Sequence, residues 1–172
     1  MSEANQNNTV QLAEHLGFKT SFKTLFAEGM TLVEETASYL DGEGREESRK
    51  LTKPASVLYA SESMRLTTRL MQLASWLLLQ RSVNEGDMTR EQLASEKKKI
   101  KLDQSRIADA HESWNELPEE FRSLIERSRS LSKRIRQLDE ELYGEGAEKT
   151  PPSDNPVFAQ MDILKAAFGQ AS

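Results

Sequence analysis

The sequence predicts an all-α fold: an antiparallel three-helix bundle with a short extra helix and a flexible C-terminal tail. Apolar residues recur at three- and four-residue intervals in three long segments, prolines open two of these segments, and no stretch alternates like a half-buried strand. The 172 residues are enough for one domain. We expect the bundle at residues 20–143, a flexible N-terminus at 1–19, and a linker with a short tethered helix at 144–172.

The first predicted helix has one apolar face. Its apolar positions follow the helical spacing of about 100° per residue: Phe22, Leu25, Phe26, Met30, Val33, Ala37 and Leu40. A hydroxyl of Thr20 or Ser21 is expected to cap its start, and Asp41-Gly42 to end it. The charged segment 42–53 contains two glycines and predicts a mobile connection or a frayed extra turn.

The second predicted helix, at residues 54–84, begins with Pro54 and is apolar on two sides. The expected core stripe is centred on Leu66 and also contains Tyr59, Leu70, Leu73 and Leu77. Nearly opposite lies a second stripe, Val57, Met64, Met71 and Leu78, with Trp76, Leu79 and Val83 between the two. We predict that Met64, Met71, Trp76 and Leu78 form a homodimer interface. The alternative is that this side packs under segment 87–117 of the same chain.

Thr89 and Gln92 have the spacing of a capping box, which predicts a short helix at residues 89–100. An irregular crossing at 102–116, with about one helical turn, is expected to follow. Pro118 then begins the third long helix, which has acidic residues in its first turn. Its inward positions follow a heptad seam interrupted by one serine: Phe121, Leu124, Ser128, Leu131, Ile135, Leu138 and Leu142.

After Tyr143, a run rich in Gly, Pro, Ser and acidic residues predicts a linker. The chain then ends with a short amphipathic helix, marked by Asn155 as N-cap, Pro156 in the first turn and Gly169 past its end. Its apolar face, the candidate partner-binding site, contains Val157, Phe158, Met161, Leu164 and Phe168. This face either captures a partner in a helix-in-groove manner or docks back on the bundle.

The sequence argues against an enzyme. The chain has no cysteine, which excludes thiolate metal sites and cysteine nucleophiles. Its two histidines argue against a His-rich metal site. The Glu-x-x-His motif of di-iron bundles is absent, because Leu12 precedes His15 by three positions and Ala108 precedes His111. The motifs S-x-x-K at 130–133 and S-D-N at 153–155 occur in penicillin-recognising enzymes. No strand pattern accompanies them here, so we attribute them to chance. We therefore expect no catalytic residue, no metal and no cofactor.

The chain shows no signal for a membrane, and we expect a cytoplasmic protein. The first residues lack a basic start and an apolar run, and the apolar stretch 73–79 is far shorter than the roughly 20 residues that span a bilayer. The net charge is −5, and the basic runs at 97–101 and 122–136 lack interleaved aromatic residues. Nucleic acid is therefore not the expected partner. The alternative function is a helical nucleic-acid-binding or transcription-associated protein that uses the Arg-rich third helix.

Three segments carry a family resemblance: Tyr59–Leu102, Phe26–Gly42 (FAEGMTLVEETASYLDG) and Leu117–Leu142 (LPEEFRSLIERSRSLSKRIRQLDEEL). Over roughly residues 22–142 the sequence resembles the RcdA family, the regulators of CtrA degradation in alphaproteobacteria. The resemblance implies a dimeric three-helix bundle that performs no chemistry. It implies an adaptor that helps deliver cell-cycle transcription regulators such as CtrA to the protease ClpXP, together with other adaptors, and that is concentrated at the cell pole. It supplies no catalytic motif, and residues 103–116 match no family pattern.

Overall fold

The computed structural model describes the backbone of residues 3–100 and 111–144, and the side chains from residue 17 onward within those ranges. The elements are α1 (Glu3–Asp41), α2 (Glu43–Ser48), α3 (Lys53–Glu85), α4 (Arg90–Lys97), a 3₁₀ helix (Glu112–Glu116) and α5 (Glu119–Tyr143). The described ranges contain no strand, and the all-α fold is confirmed. The predicted tail helix at 155–169 lies outside the described residues, as does most of the crossing at 102–116.

The start of α1 differs from the expectation. The helix begins at Glu3, and Thr20 is an interior residue whose carbonyl accepts a hydrogen bond from the hydroxyl of Thr24 at 3.3 Å. Apolar spacing reports where a helix packs, and it does not report where the helix ends. No proline precedes Pro54, so nothing in the sequence forces α1 to begin as late as Thr20 or Ser21. The end at Asp41 agrees with the prediction, and segment 42–53 contains the extra helix α2.

The ends of α3 and the start of α4 agree with the prediction, and α3 has in addition an N-cap that was not predicted from the sequence. Thr52 caps α3 by accepting a hydrogen bond from the backbone N–H of Ala55, and Pro54 lies in the first turn. Gly86 ends α3 in the left-handed region, with φ of 83°, a conformation that glycine adopts at little cost. The capping box of α4 is confirmed, because Thr89 and Gln92 each accept the other's backbone N–H, at 3.2 and 2.9 Å.

The chain divides into two compact units, residues 1–133 and 134–172, and the packing described here is that of the first. At one end of the bundle the rings of Tyr39 and Tyr59 lie 6.1 and 4.4 Å from the ring of Phe121. Farther along, Gly29 faces both Leu77, late in α3, and Leu131 of α5. Helix α1 therefore runs antiparallel to α3 and α5, which are parallel to each other. The start of α5 lies near the start of α3, because the hydroxyl of Thr52 donates to a carboxylate oxygen of Glu116 at 2.6 Å.

The predicted seam of α5 is buried from Phe121 to Ile135, and the predicted core stripe of α3 is buried throughout. On α1 the buried line is Phe22, Leu25, Gly29, Leu32, Thr36 and Tyr39. Of the seven residues that the spacing assigned to the α1 core, only Phe22 and Leu25 are buried; Phe26, Met30, Val33 and Leu40 are half-buried and Ala37 is exposed. Val33, Ala37 and Leu40 lie beside the true core line, where α1 borders a groove along α3.

Candidate protein-binding surface

Four large apolar side chains of α3 remain exposed to solvent. We call them the α3 stripe, and their exposed fractions are 65% for Val57, 73% for Met64, 67% for Met71 and 51% for Leu78. They recur every seven residues, a spacing that keeps them on one side of an α-helix with a drift of about 20° per repeat. A continuous apolar row on a protein surface is typical of a site that another molecule covers.

Several small residues with hydroxyl groups lie on the same side of α3 as the stripe. Each of four hydroxyls donates to a carbonyl one turn earlier in α3: Ser61 to Leu58 at 3.0 Å, Thr67 to Ser63 at 2.9 Å, Ser75 to Met71 at 2.8 Å and Ser82 to Leu78 at 3.2 Å. Their protons therefore have partners inside the helix itself. A second helix can cover this face closely without leaving these buried donors unsatisfied.

A groove of about 180 Å³ lies between α1 and α3 at the middle of the stripe. Leu70 and Met71 line it from α3, and Val33 and Leu40 line it from α1. The hydroxyl oxygen of Thr36, a residue only 3% exposed, borders the groove and has no hydrogen-bond partner. An apolar cavity of about 150 Å³ holds a benzene molecule, so this groove has room for one large apolar side chain of a partner.

The structure separates the residues proposed for the dimer interface. Met64, Met71 and Leu78 are each more than half exposed on one side of α3, although Leu78 borders a pocket that Lys99 and Ile100 also line. Trp76 is placed differently from the expectation, because it is 2% exposed and belongs to the core of its own chain. It stands three residues after Leu73 and four before Gln80, both of which are buried, so it lies on their face of the helix. We therefore leave Trp76 out of the interface.

The apolar face of the tail is the other candidate site. Its residues Val157, Phe158, Met161, Leu164 and Phe168 lie outside the described part of the chain. The choice between partner capture and docking on the bundle stays a prediction.

A buried carboxylate joins α3 to the Arg-rich part of α5. Glu62 is 1% exposed and forms an ion pair with Arg65 at 2.6 Å, and its second oxygen lies 3.8 Å from Arg129. The guanidinium of Arg129 lies 5.4 Å above the ring centroid of Trp114. The sequence contained one sign of this cluster, because Glu62 falls at the core spacing of α3, three residues after Tyr59 and four before Leu66.

The Arg-rich face of α5 makes internal contacts. Arg127 pairs with Glu35 of α1 at 2.5 Å, and the Nε–H of Arg122 donates to the carbonyl of Leu117 at 3.3 Å. Arg127 and Arg129 therefore link α5 to α1 and α3, and Arg122 contacts the segment just before α5. This arrangement fits a charged bundle flank and gives no reason to assign the face to phosphate binding.

Two tyrosines pack near α2. The hydroxyl of Tyr39 donates to a carboxylate oxygen of Glu47 at 2.6 Å, and Tyr59 lies nearby with an unpartnered hydroxyl. Burial raises the pKa of Tyr39, and the hydrogen bond to Glu47 adds to this shift. Burial also raises the pKa of Tyr59. Both phenols therefore stay protonated at neutral pH and hold α2 against the bundle.

The described residues contain neither a group suited to hold a metal ion nor a helix suited to span a membrane. Within residues 17–100 and 111–144, no three His, Cys, Asp or Glu side chains are grouped to hold a metal ion. None of the helices described is both long enough and apolar enough to cross a membrane.

Comparison with known proteins gives the family. Residues 13–168 match the model of a family described as "Protein of unknown function (DUF1465)". A search of curated proteins found no match. The crystal structure of RcdA from Caulobacter crescentus CB15 is 50% identical in sequence, with a TM-score of 0.60, and the match covers 72% of this chain and 92% of that one. At this identity and coverage, the chain belongs to the RcdA family.

Proposed function

We propose that the protein is a non-enzymatic adaptor. In this role it helps deliver cell-cycle regulatory proteins, transcription regulators of the CtrA kind, to the protease ClpXP through protein–protein contacts. Membership of the RcdA family supports the proposal. The single observation that carries it is the α3 stripe, in which Met64, Met71 and Leu78 are each more than half exposed on a helix whose other side forms the core.

The proposal assigns two surfaces. Met64, Met71 and Leu78 meet the same residues of a second copy, because a two-fold interface is self-complementary. The apolar face of the predicted tail helix, residues 157–168, binds cargo or further adaptors. The linker that the sequence predicts would give such a segment an effective concentration of about 1 mM at the bundle, so weak contacts would be enough for delivery.

The nucleic-acid alternative has no observation in its favour. Arg127 and Arg129, which a phosphate-binding face would need, contact Glu35 and Glu62 within the chain. Binding to DNA would have to break these contacts before it gained new ones.

Reconstituted degradation tests the delivery role. Labelled CtrA-like cargo is incubated with ClpXP, ATP and the companion adaptors, with and without the full-length protein. We expect faster cargo loss when the protein is present, and intact cargo when the protein is incubated with it alone. An unchanged degradation rate in the complete mixture would refute the adaptor role, and cargo loss without ClpXP would refute its non-enzymatic character.

A further inference from the structure

A second cavity lies away from the α3 stripe, between the first part of α1 and the last turns of α3. Its volume is about 520 Å³, which is within the 300–1,000 Å³ range typical of ligand pockets. Phe22 and Phe26 line it from α1, together with Lys19 and Lys23, and Arg81 lines it from α3. We call it the Phe26 cavity. The proposed delivery role makes no use of it.

The charge around the Phe26 cavity is positive, although the formal net charge of the whole chain is −5. Its lining contains three cations, Lys19, Lys23 and Arg81, and one carboxylate, Glu85. Glu85 is already engaged, because it accepts a hydrogen bond from Nε of Arg81 at 2.8 Å. Lys19 and Lys23 stand four residues apart on one side of α1, and neither pairs with a carboxylate in the described part of the chain. An anion beside them would relieve their mutual repulsion.

The aromatic lining favours an apolar side chain over a nucleobase. The rings of Phe22 and Phe26 are tilted by 46° at a centroid separation of 6.1 Å, and Phe22 is buried. The guanidinium of Arg81 lies 5.2 Å from the ring centroid of Phe26 and occupies one face of that ring. A base needs an open ring face for stacking, whereas an apolar side chain can enter beside the ring edges.

We propose that the Phe26 cavity binds an acidic peptide segment of a partner protein. One large apolar side chain of the peptide enters beside Phe22 and Phe26. Carboxylates on either side of it meet Lys19 and Lys23, while Arg81 stays paired with Glu85. A cavity of this size, with apolar and cationic walls next to each other, is too large and too apolar for an isolated inorganic anion.

Fluorescence anisotropy with the full-length protein tests this proposal. The probe is a short labelled peptide in which one phenylalanine is flanked by glutamates on both sides. We expect saturable binding that weakens as salt is added. Replacing the phenylalanine of the probe by serine, or its glutamates by glutamines, should each weaken binding about tenfold or more. The Lys19→Glu/Lys23→Glu double variant should also weaken binding about tenfold or more.

A matched control makes the same charge change elsewhere. Lys50 and Lys53 are exposed lysines near the opposite end of α3, and the Lys50→Glu/Lys53→Glu variant should bind within about twofold of the wild type. Equal loss in both double variants would show attraction by total charge only and would overturn the proposal. So would equal binding of the serine peptide, or displacement of the probe by inorganic phosphate as readily as by unlabelled peptide.

A second measurement does not depend on any variant. When the peptide is titrated into isotope-labelled wild-type protein, the backbone amide signals of residues 19–26 and 81–85 should shift the most. Largest shifts along residues 57–78 would place the peptide on the α3 stripe and would overturn the assignment to the Phe26 cavity.

Discussion

Arg69 of α3 donates a hydrogen bond to the hydroxyl of Ser128 of α5 over 2.9 Å, and both side chains are buried. The same hydroxyl donates to the carbonyl of Ile125 at 2.7 Å. The one polar residue in the heptad seam of α5 is therefore the acceptor for an arginine of the neighbouring helix. A buried arginine needs such acceptors, because an unmet donor in the core has a high desolvation cost.

For Ser128→Leu, the heptad pattern and the structure predict opposite changes in stability. By pattern alone, leucine would complete the seam and stabilise the bundle. We expect the free energy of unfolding to fall instead, by about 2 kcal/mol or more, because an acceptor of Arg69 is lost and a larger side chain enters a filled core. Ser130→Leu, at an exposed position of the same helix, is the control and should change stability by about 0.5 kcal/mol or less. Urea unfolding measures both, and a more stable Ser128→Leu variant would contradict the expectation.

Two glycine-to-alanine substitutions should differ in their effect on stability. A Cβ atom at Gly44 would lie 2.6 Å from Cε1 of Tyr39 and 2.7 Å from the hydroxyl of Tyr59, so Gly44→Ala should lower the free energy of unfolding by about 1–3 kcal/mol. A Cβ atom at Gly17, inside α1, would meet nothing within 4 Å. Gly17→Ala should therefore leave stability unchanged or raise it by up to about 1 kcal/mol. Thermal unfolding followed by circular dichroism compares the two, and equal effects would count against the close approach of α2 to the tyrosines.

The dimer prediction is tested with Met71→Glu and Leu78→Glu. Because both side chains are more than half exposed in the single chain, we expect each variant to be a folded monomer. Its free energy of unfolding should be within about 1 kcal/mol of the value for the wild-type monomer. Ser123→Glu, on an exposed position of α5, should leave the dimer intact. Light scattering gives the mass, and dimers of unchanged stability in both Met71→Glu and Leu78→Glu would exclude this interface.

Removal of residues 144–172 tests the role proposed for the tail. If the tail helix serves partners, the shortened chain should keep the melting temperature of the full chain and lose capture of cargo or companion adaptors. A lower melting temperature would mean that the tail docks on the bundle. Calorimetry and crosslinking pull-downs from cells, with and without residues 144–172, measure the two properties.

The buried tyrosines predict a loss of stability at high pH. Their pKa values are raised in the folded state, so above about pH 10 the unfolded chain releases protons that the folded chain still holds. The stability contribution is therefore complete below pH 10 and decreases as the pH rises further. Tyr39→Phe should reduce the slope of the free energy of unfolding against pH in this range, although loss of the bond to Glu47 lowers stability at neutral pH. An unchanged slope would contradict the assignment to Tyr39.

The sequence by itself determined the all-α fold and the inward faces of α3 and α5, whereas the start and most of the core line of α1 differed from the expectation. Helical spacing identified the core stripe around Leu66 and the seam from Phe121 to Ile135, Pro54 marked the start of α3, and a capping box marked the start of α4. These features depend on residues within a few positions of one another. Periodicity and hydrogen bonds within one turn are therefore enough to define them. The same segments supported the resemblance to the RcdA family.

The tertiary structure decided what depends on distant residues. It showed that α5 runs parallel to α3, that Trp76 points into the core while Met71 does not, and that Glu62 lies beside Arg129. A helical wheel cannot predict these facts, because each depends on which neighbouring helix fills the space beside a residue. The α3 stripe and the Phe26 cavity follow from the same cause, since both are surfaces that remained uncovered once the core had been filled.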